Sequence, residues 1–108
     1  MRSEERNPAD IPLDTRFRRN PRVARQVLGG KAVVLDYEGG RMAGLNETGT
    51  RVWERLDGRR TTGEIVDELA REDGVPVDEV ASAVCAFLAE LRARGLVVEA
   101  DGGDAGGR

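Results

Sequence analysis

The sequence predicts an α+β domain, three antiparallel strands followed by three helices. Three observations carry that reading. Gly-rich turns separate short apolar stretches between Val23 and Leu45. From Gly49 to Leu91 the apolar residues recur at helical spacing. Start and stop signals divide this second half into three segments.

The first strand is Val23–Leu28, where Val23 and Val27 share a face with Arg25 between them. Gly29-Gly30 turns the chain. Lys31–Asp36 is apolar on both faces near its middle, which predicts a central strand. Tyr37-Glu38-Gly39-Gly40 reads as a hairpin turn, and Arg41–Leu45 returns as the third strand. Asn46 can cap the first helix, with Glu47 near the positive end of its dipole. Gly49, Val52, Trp53 and Leu56 form its apolar stripe, so Trp53 belongs to the core, and Asp57-Gly58 ends it. Thr61-x-x-Glu64 matches a capping box for the second helix, whose inner face is Ile65, Val66, Leu69 and Ala70. Gly74 stands where a left-handed terminating residue belongs. Pro76 opens the third helix near Val77, with Asp78 and Glu79 in its first turn. Val80, Val84, Phe87 and Leu91 centre its core stripe. Gly95 ends it, and Leu96-Val97-Val98 continues as an extended segment. One sheet face and three helix stripes can close one core, giving a winged-helix-like βββααα domain.

The 108 residues suffice for one such domain. Residues 1–20 are polar, with two prolines and no sustained period, and are expected to form a flexible basic arm. Residues 21–99 are the folded unit, and residues 100–108 a disordered Gly-rich tail. The net charge of −3 is unevenly spread: residues 1–28 carry seven Arg against four acids, so a basic arm precedes an acidic body.

Several function classes fall away. The chain has no His and one Cys, which excludes a structural zinc site, an internal disulfide and nucleophilic sites that depend on imidazole. No metal or cofactor is expected. No apolar run approaches the ~20 residues of a membrane span, and no secretory signal is visible, so a cytoplasmic protein is expected. Glu38-Gly39-Gly40 lacks the Lys-Ser/Thr and following helix of a phosphate loop.

Gly44-Leu45-Asn46-Glu47-Thr48-Gly49, Val52-Trp53, Leu56-Asp57-Gly58, Thr61-x-x-Glu64-Ile65 and Phe87-Leu88-x-x-Leu91-x-x-x-Gly95-Leu96 occur in an order and spacing that resembles the PqqD-like proteins. These are the peptide chaperones, or RiPP recognition elements, of ribosomal peptide natural-product pathways. The resemblance covers about Val23 to Val98. The sequence departs from the family pattern at Pro76-Val77-Asp78, and the resemblance says nothing about the Arg-bearing arm.

The resemblance implies a non-enzymatic module that binds the leader region of a precursor peptide and delivers it to a modifying enzyme, most often of the radical-SAM class. In the family the leader adds as a β-strand beside the third strand, in a groove closed by the third helix. Transferred to this sequence, the binding residues are Arg41, Met42, Ala43, Gly44 and Leu45 of the third strand. On the third helix they are Ala81, Val84, Cys85, Leu88 and Arg92. The residues leave room for this: an edge strand offers unpaired N–H and C=O groups, and Ala43 and Gly44 permit close approach. Ala81, Cys85, Leu88 and Arg92 share one helix flank at i, i+4, i+7 and i+11, where small side chains could leave a trough. Exposed strand edges are compatible with a monomer or a weak dimer.

The competing reading is a winged-helix regulator that binds DNA, suggested by Arg16, Arg18, Arg19, Arg22 and Arg25. Its reading helix would be the third, which carries Asp78, Glu79 and Glu90 against Arg92 and Arg94 and has no Asn, Gln or Lys to meet base edges. No nucleic-acid partner is therefore expected.

Overall fold

Two three-stranded antiparallel sheets share one core with three helices in the computed structural model, which describes residues 11–100. In chain order the elements are β1 (Arg16–Arg19), β2 (Val23–Leu28), β3 (Lys31–Asp36), β4 (Arg41–Leu45), α1 (Glu47–Glu54), β5 (Asp57–Thr61), α2 (Thr62–Asp73), α3 (Val77–Ala93) and β6 (Val97–Glu99). The expected meander is β2-β3-β4, with β3 central. The three helices follow it as expected.

Local chemistry explains the meander's register. Gly29 and Gly30 have φ of 61° and 82°, the two positive values a tight hairpin turn of this type requires. Leu28 therefore pairs with Lys31, and the register runs on to Val23 opposite Asp36. The second turn is tied by Asp36, whose Oδ1 accepts the N–H of Glu38 and of Gly39 at 3.0 Å each. Arg41 then lies opposite Asp36, and Leu45 opposite Ala32.

The helix signals also operate as the sequence indicates. The Asn46 side chain accepts the Gly49 N–H at 2.7 Å. Thr61 and Glu64 satisfy each other's backbone N–H at 3.1 and 2.8 Å, a complete capping box. Gly74 is left-handed at φ 67°. Val52, Trp53 and Leu56 are buried, so Trp53 is a core residue. Arg55 bridges Glu68 and Glu72 at 2.9 and 2.6 Å, tying the end of α1 to α2.

A second sheet, in the order β5-β1-β6, was not foreseen. Residues 1–20 do not all form a flexible arm: Arg16–Arg19 is the middle strand of this sheet, and Ile11 and Phe17 are each 1% exposed. The physical reason lies in composition. Three of the four β1 residues are Arg, so its strand signal rests on Phe17 alone. β5 (Asp-Gly-Arg-Arg-Thr) is equally polar, and Asp57-Gly58 opens this strand, the α1 helix having ended at Glu54. Leu96-Val97-Val98 does run on as an extended segment and supplies β6. The first ten residues of the expected arm, and the Gly-rich tail from Asp101 onward, lie outside the described residues.

Candidate peptide-binding groove

β4 is an edge of its sheet, and the register states which of its backbone groups face outward. The two-residue turn makes Leu28 and Lys31 a hydrogen-bonded pair, so alternate β3 residues Lys31, Val33 and Leu35 bond to β2. Ala32, Val34 and Asp36 then bond to β4, through Leu45, Ala43 and Arg41. Met42 and Gly44 are left with their N–H and C=O directed away from the sheet. Side chains alternate in the same rhythm: Ala43 and Leu45 are buried, while Met42 is 49% exposed. A Cβ added at Gly44 would meet nothing within 4 Å, so the outer face of the strand is clear there, and among the described residues no strand pairs with β4 on its far side.

One outward group is already engaged. The Arg94 guanidinium, at the end of α3, donates to the Met42 carbonyl at 2.7 Å. Arg41 in turn donates to the Arg94 carbonyl at 3.2 Å. These contacts set the C-terminal end of α3 beside the start of β4. At the other end of the strand, Asn46, Thr48 and Gly49 meet Ala83, Val84 and Phe87 around a hollow of about 150 Å³. A Cβ on Gly49 would come within 3.2 Å of the Phe87 ring, so glycine here lets α1 and α3 approach. A second hollow, about 380 Å³ and more open, is lined by Arg41, Met42, Ala93 and Arg94. The two hollows flank the β4 edge, one toward each end.

From α3 and its cap, the hollows are lined by Ala83, Val84, Phe87, Ala93 and Arg94; Ala83, Phe87, Glu90 and Arg94 share one flank, also at i, i+4, i+7 and i+11. It is not the flank named from the sequence. Cys85 and Leu88 are fully buried, as is Val84 apart from its place in the wall of the smaller hollow. Ala81 is partly buried against the core. Arg92 reaches Glu99 of β6 at 3.5 Å, so its side of the helix faces the second sheet. With the Cys85 and Leu88 flank buried in the core and Arg92 beside β6, Phe87 is left half-buried toward the rim. Burial also pushes the Cys85 thiol above its ordinary pKa, which makes it a buried apolar filler and a poor nucleophile. Of the strand residues, Met42 and Gly44 face the groove through their backbone, Arg41 lines its basic end, and Ala43 and Leu45 serve the core.

Among the described residues, no group of three His, Cys, Asp or Glu side chains is placed to hold a metal ion, and no helix is long and apolar enough to cross a membrane.

Comparison with known proteins agrees with this architecture. TbiB1 in complex with the TbiA(beta) leader peptide superposes with a TM-score of 0.63 at 26% identity, over 74% of this chain and 93% of that one. A lasso peptide synthetase B1 complexed with the leader peptide superposes with a TM-score of 0.65 at 22% identity, over 76% of this chain and 96% of the other, and it shows the shared fold. No curated protein matches the chain. The family described as coenzyme PQQ synthesis protein D (PqqD) matches residues 31–97, a stretch that begins with the central strand of the meander and runs through all three helices to β6. The chain therefore belongs to the PqqD family.

Proposed function

We propose that this protein is a RiPP recognition element: it binds the leader region of a ribosomal precursor peptide by strand addition to β4 and presents the remainder to a separate modifying enzyme. The observation that carries the reading is the open β4 edge, where Met42 and Gly44 direct backbone groups into a groove walled by Phe87 and Arg94 of α3. An extended guest satisfies those groups and places alternate side chains against the helix. Both similar structures hold a leader peptide, which supports the same occupant here.

The module acts by raising the local concentration of substrate at its enzyme, without chemistry of its own and in the cytoplasm. The likeness to the PqqD family supports a radical-SAM enzyme as the first reading of that partner. The likeness to a lasso peptide synthetase B1 favours a lasso-forming enzyme as the second reading. The DNA-binding alternative gains nothing from the structure's charges: Arg92 and Arg94 are paired with Glu99 and Glu90, while Asp78 and Glu79 stand exposed at the start of α3.

Fluorescence anisotropy tests the proposal. The probe is a fluorescein-labelled leader segment from a short reading frame neighbouring this one, with labelled duplex DNA as the comparison. Saturable peptide binding with a shallow salt dependence is expected, and no binding of the duplex at moderate salt. Duplex binding with a steep salt slope, and none of the peptide, would reverse the assignment.

A further inference from the structure

The Met42 carbonyl faces the groove but is held by Arg94 at 2.7 Å. The oxygen has a second lone pair, so a guest strand that bonds to this carbonyl meets the guanidinium directly, sharing the oxygen with it or taking its place. Arg94 then keeps one acidic contact, the ion pair with Glu90 one helical turn back at 2.9 Å. Both of those side chains are about half exposed, and such a pair is weakly stabilising. Arg41 stands beside it, opposite Asp36 and within electrostatic reach of that carboxylate but in no direct ion pair among the described residues. Strand addition therefore brings a guest against a fork of charged donors next to a second arginine, at one end of the groove. Bidentate capture of a carboxylate is the arrangement that satisfies it best.

The opposite end has different chemistry. The smaller hollow between α1 and α3 is lined largely by Gly49, Val52, Ala83, Val84 and Phe87. Its volume, about 150 Å³, matches that of an engineered apolar cavity able to take benzene. The two ends can be spaced in two independent ways. From Met42 to Asn46 is four steps along the strand, about 13 Å at ~3.3 Å each. From Ala83 to Ala93 is ten steps along the helix, about 15 Å at ~1.5 Å each. The agreement means that strand edge and helix flank run alongside each other over one common length.

We infer that the groove selects extended peptides bearing an acidic side chain about four residues from an apolar one, with Arg94, and Arg41 beside it, as the acid-reading residues. This deepens the strand-addition reading above and rests on it. Two residues four apart on an extended chain project to the same side, so both can face α3. Arg94 thereby serves two states. Without a guest it covers an edge carbonyl that would otherwise invite pairing with another chain, and with a guest it turns to the guest's carboxylate.

Selection from a randomised library of extended peptides displayed on phage tests this, with the full chain as bait in wild-type, Arg94→Ala and Gly44→Pro forms. The wild type should enrich Asp or Glu at a fixed spacing of about four from Leu, Ile, Val or Phe. The Arg94→Ala form should keep the apolar preference and lose the acidic one. For a selected peptide, replacing its acid by the neutral amide should cost the wild type about tenfold in affinity and the Arg94→Ala form less than about twofold. Acidic enrichment that persists in Arg94→Ala, or peptides without any acid that compete for the same edge, would overturn the inference while leaving strand addition standing. Selected peptides that bind Gly44→Pro as tightly as wild type, or a bait that enriches no peptide, would remove the strand-addition reading and this inference together.

Discussion

Arg92 of α3 and Glu99 of β6 lie 3.5 Å apart, and this contact reports which way α3 is turned. Both side chains are substantially exposed, so the pair itself adds little stability. Its value is directional. It sets the Arg92 end of the inward flank beside β6, while Ala83 and Phe87 line the hollow by Asn46 at the far end of β4.

Gly44 presents its N–H to the groove and not to β3, so Gly44→Pro deletes a docking donor without removing a bond of the sheet. Leader affinity should fall by about tenfold or more, while far-ultraviolet circular dichroism keeps its helical signal. A folded Gly44→Pro protein with undiminished affinity would move the dock elsewhere.

Ala83 is exposed at the mouth of the smaller hollow. Ala83→Trp should fill it and exclude an apolar anchor, a loss of about 1.5–3 kcal/mol in peptide binding at nearly unchanged melting temperature. Leu88→Ala is the counterpart. Leu88 is fully buried on the inward flank, so truncating it should cost about 2–5 kcal/mol of stability and leave peptide affinity intact in the folded fraction. Denaturant titration and anisotropy on both variants separate the two faces of the helix.

Phe17 tests the corrected boundary of the domain. Its side chain is 1% exposed in the middle strand of the second sheet. Phe17→Ala should destabilise by about 3–5 kcal/mol in urea unfolding. A protein truncated before Pro21 should lose the cooperative transition altogether, because Ile11, Phe17 and β1 leave with it.

Asp36 gives the fold a pH signature. The Gly39 N–H holds its carboxyl below the ordinary value of 3.8 against the opposing effect of desolvation, and Arg22 and the Glu38 N–H act in the same direction as Gly39. A depressed carboxyl stabilises the fold fully above its unfolded value, and this contribution fades as pH falls through the folded one. Melting temperatures should therefore drop as pH falls below about 4, and Asp36→Asn should lower the neutral-pH plateau while making that acid limb shallower. An Asp36→Asn curve parallel to wild type would remove Asp36 from the account.

The meander and helices were legible because their signals are local. Gly29-Gly30 sets a turn, Asn46 and Thr61 set helix starts, and each acts within three or four residues. β1 and β5 were not legible, since Arg-rich strands show no alternation and their partners lie far along the chain. The site followed the same division. Met42 and Gly44 could be placed on an edge from the meander alone. The facing side of α3 could not, because the stripe from Val80 to Leu91 is apolar on more than one flank and tertiary packing, chiefly on α2, decides which flank is covered. The spacing Ala83, Phe87, Glu90, Arg94, small and apolar then charged, was the available signal for the groove wall.

β1 sits between β5 and β6, so its two sides are completed by segments about forty and eighty residues downstream. During synthesis the hairpins of the meander can close as soon as they emerge, whereas Phe17 has no lasting cover until Val97–Glu99 has cleared the ribosome. Completion of this domain thus waits on a long final loop closure, and a nascent chain stalled before Val97 should be recognised by holdase chaperones through its bare aromatic strand.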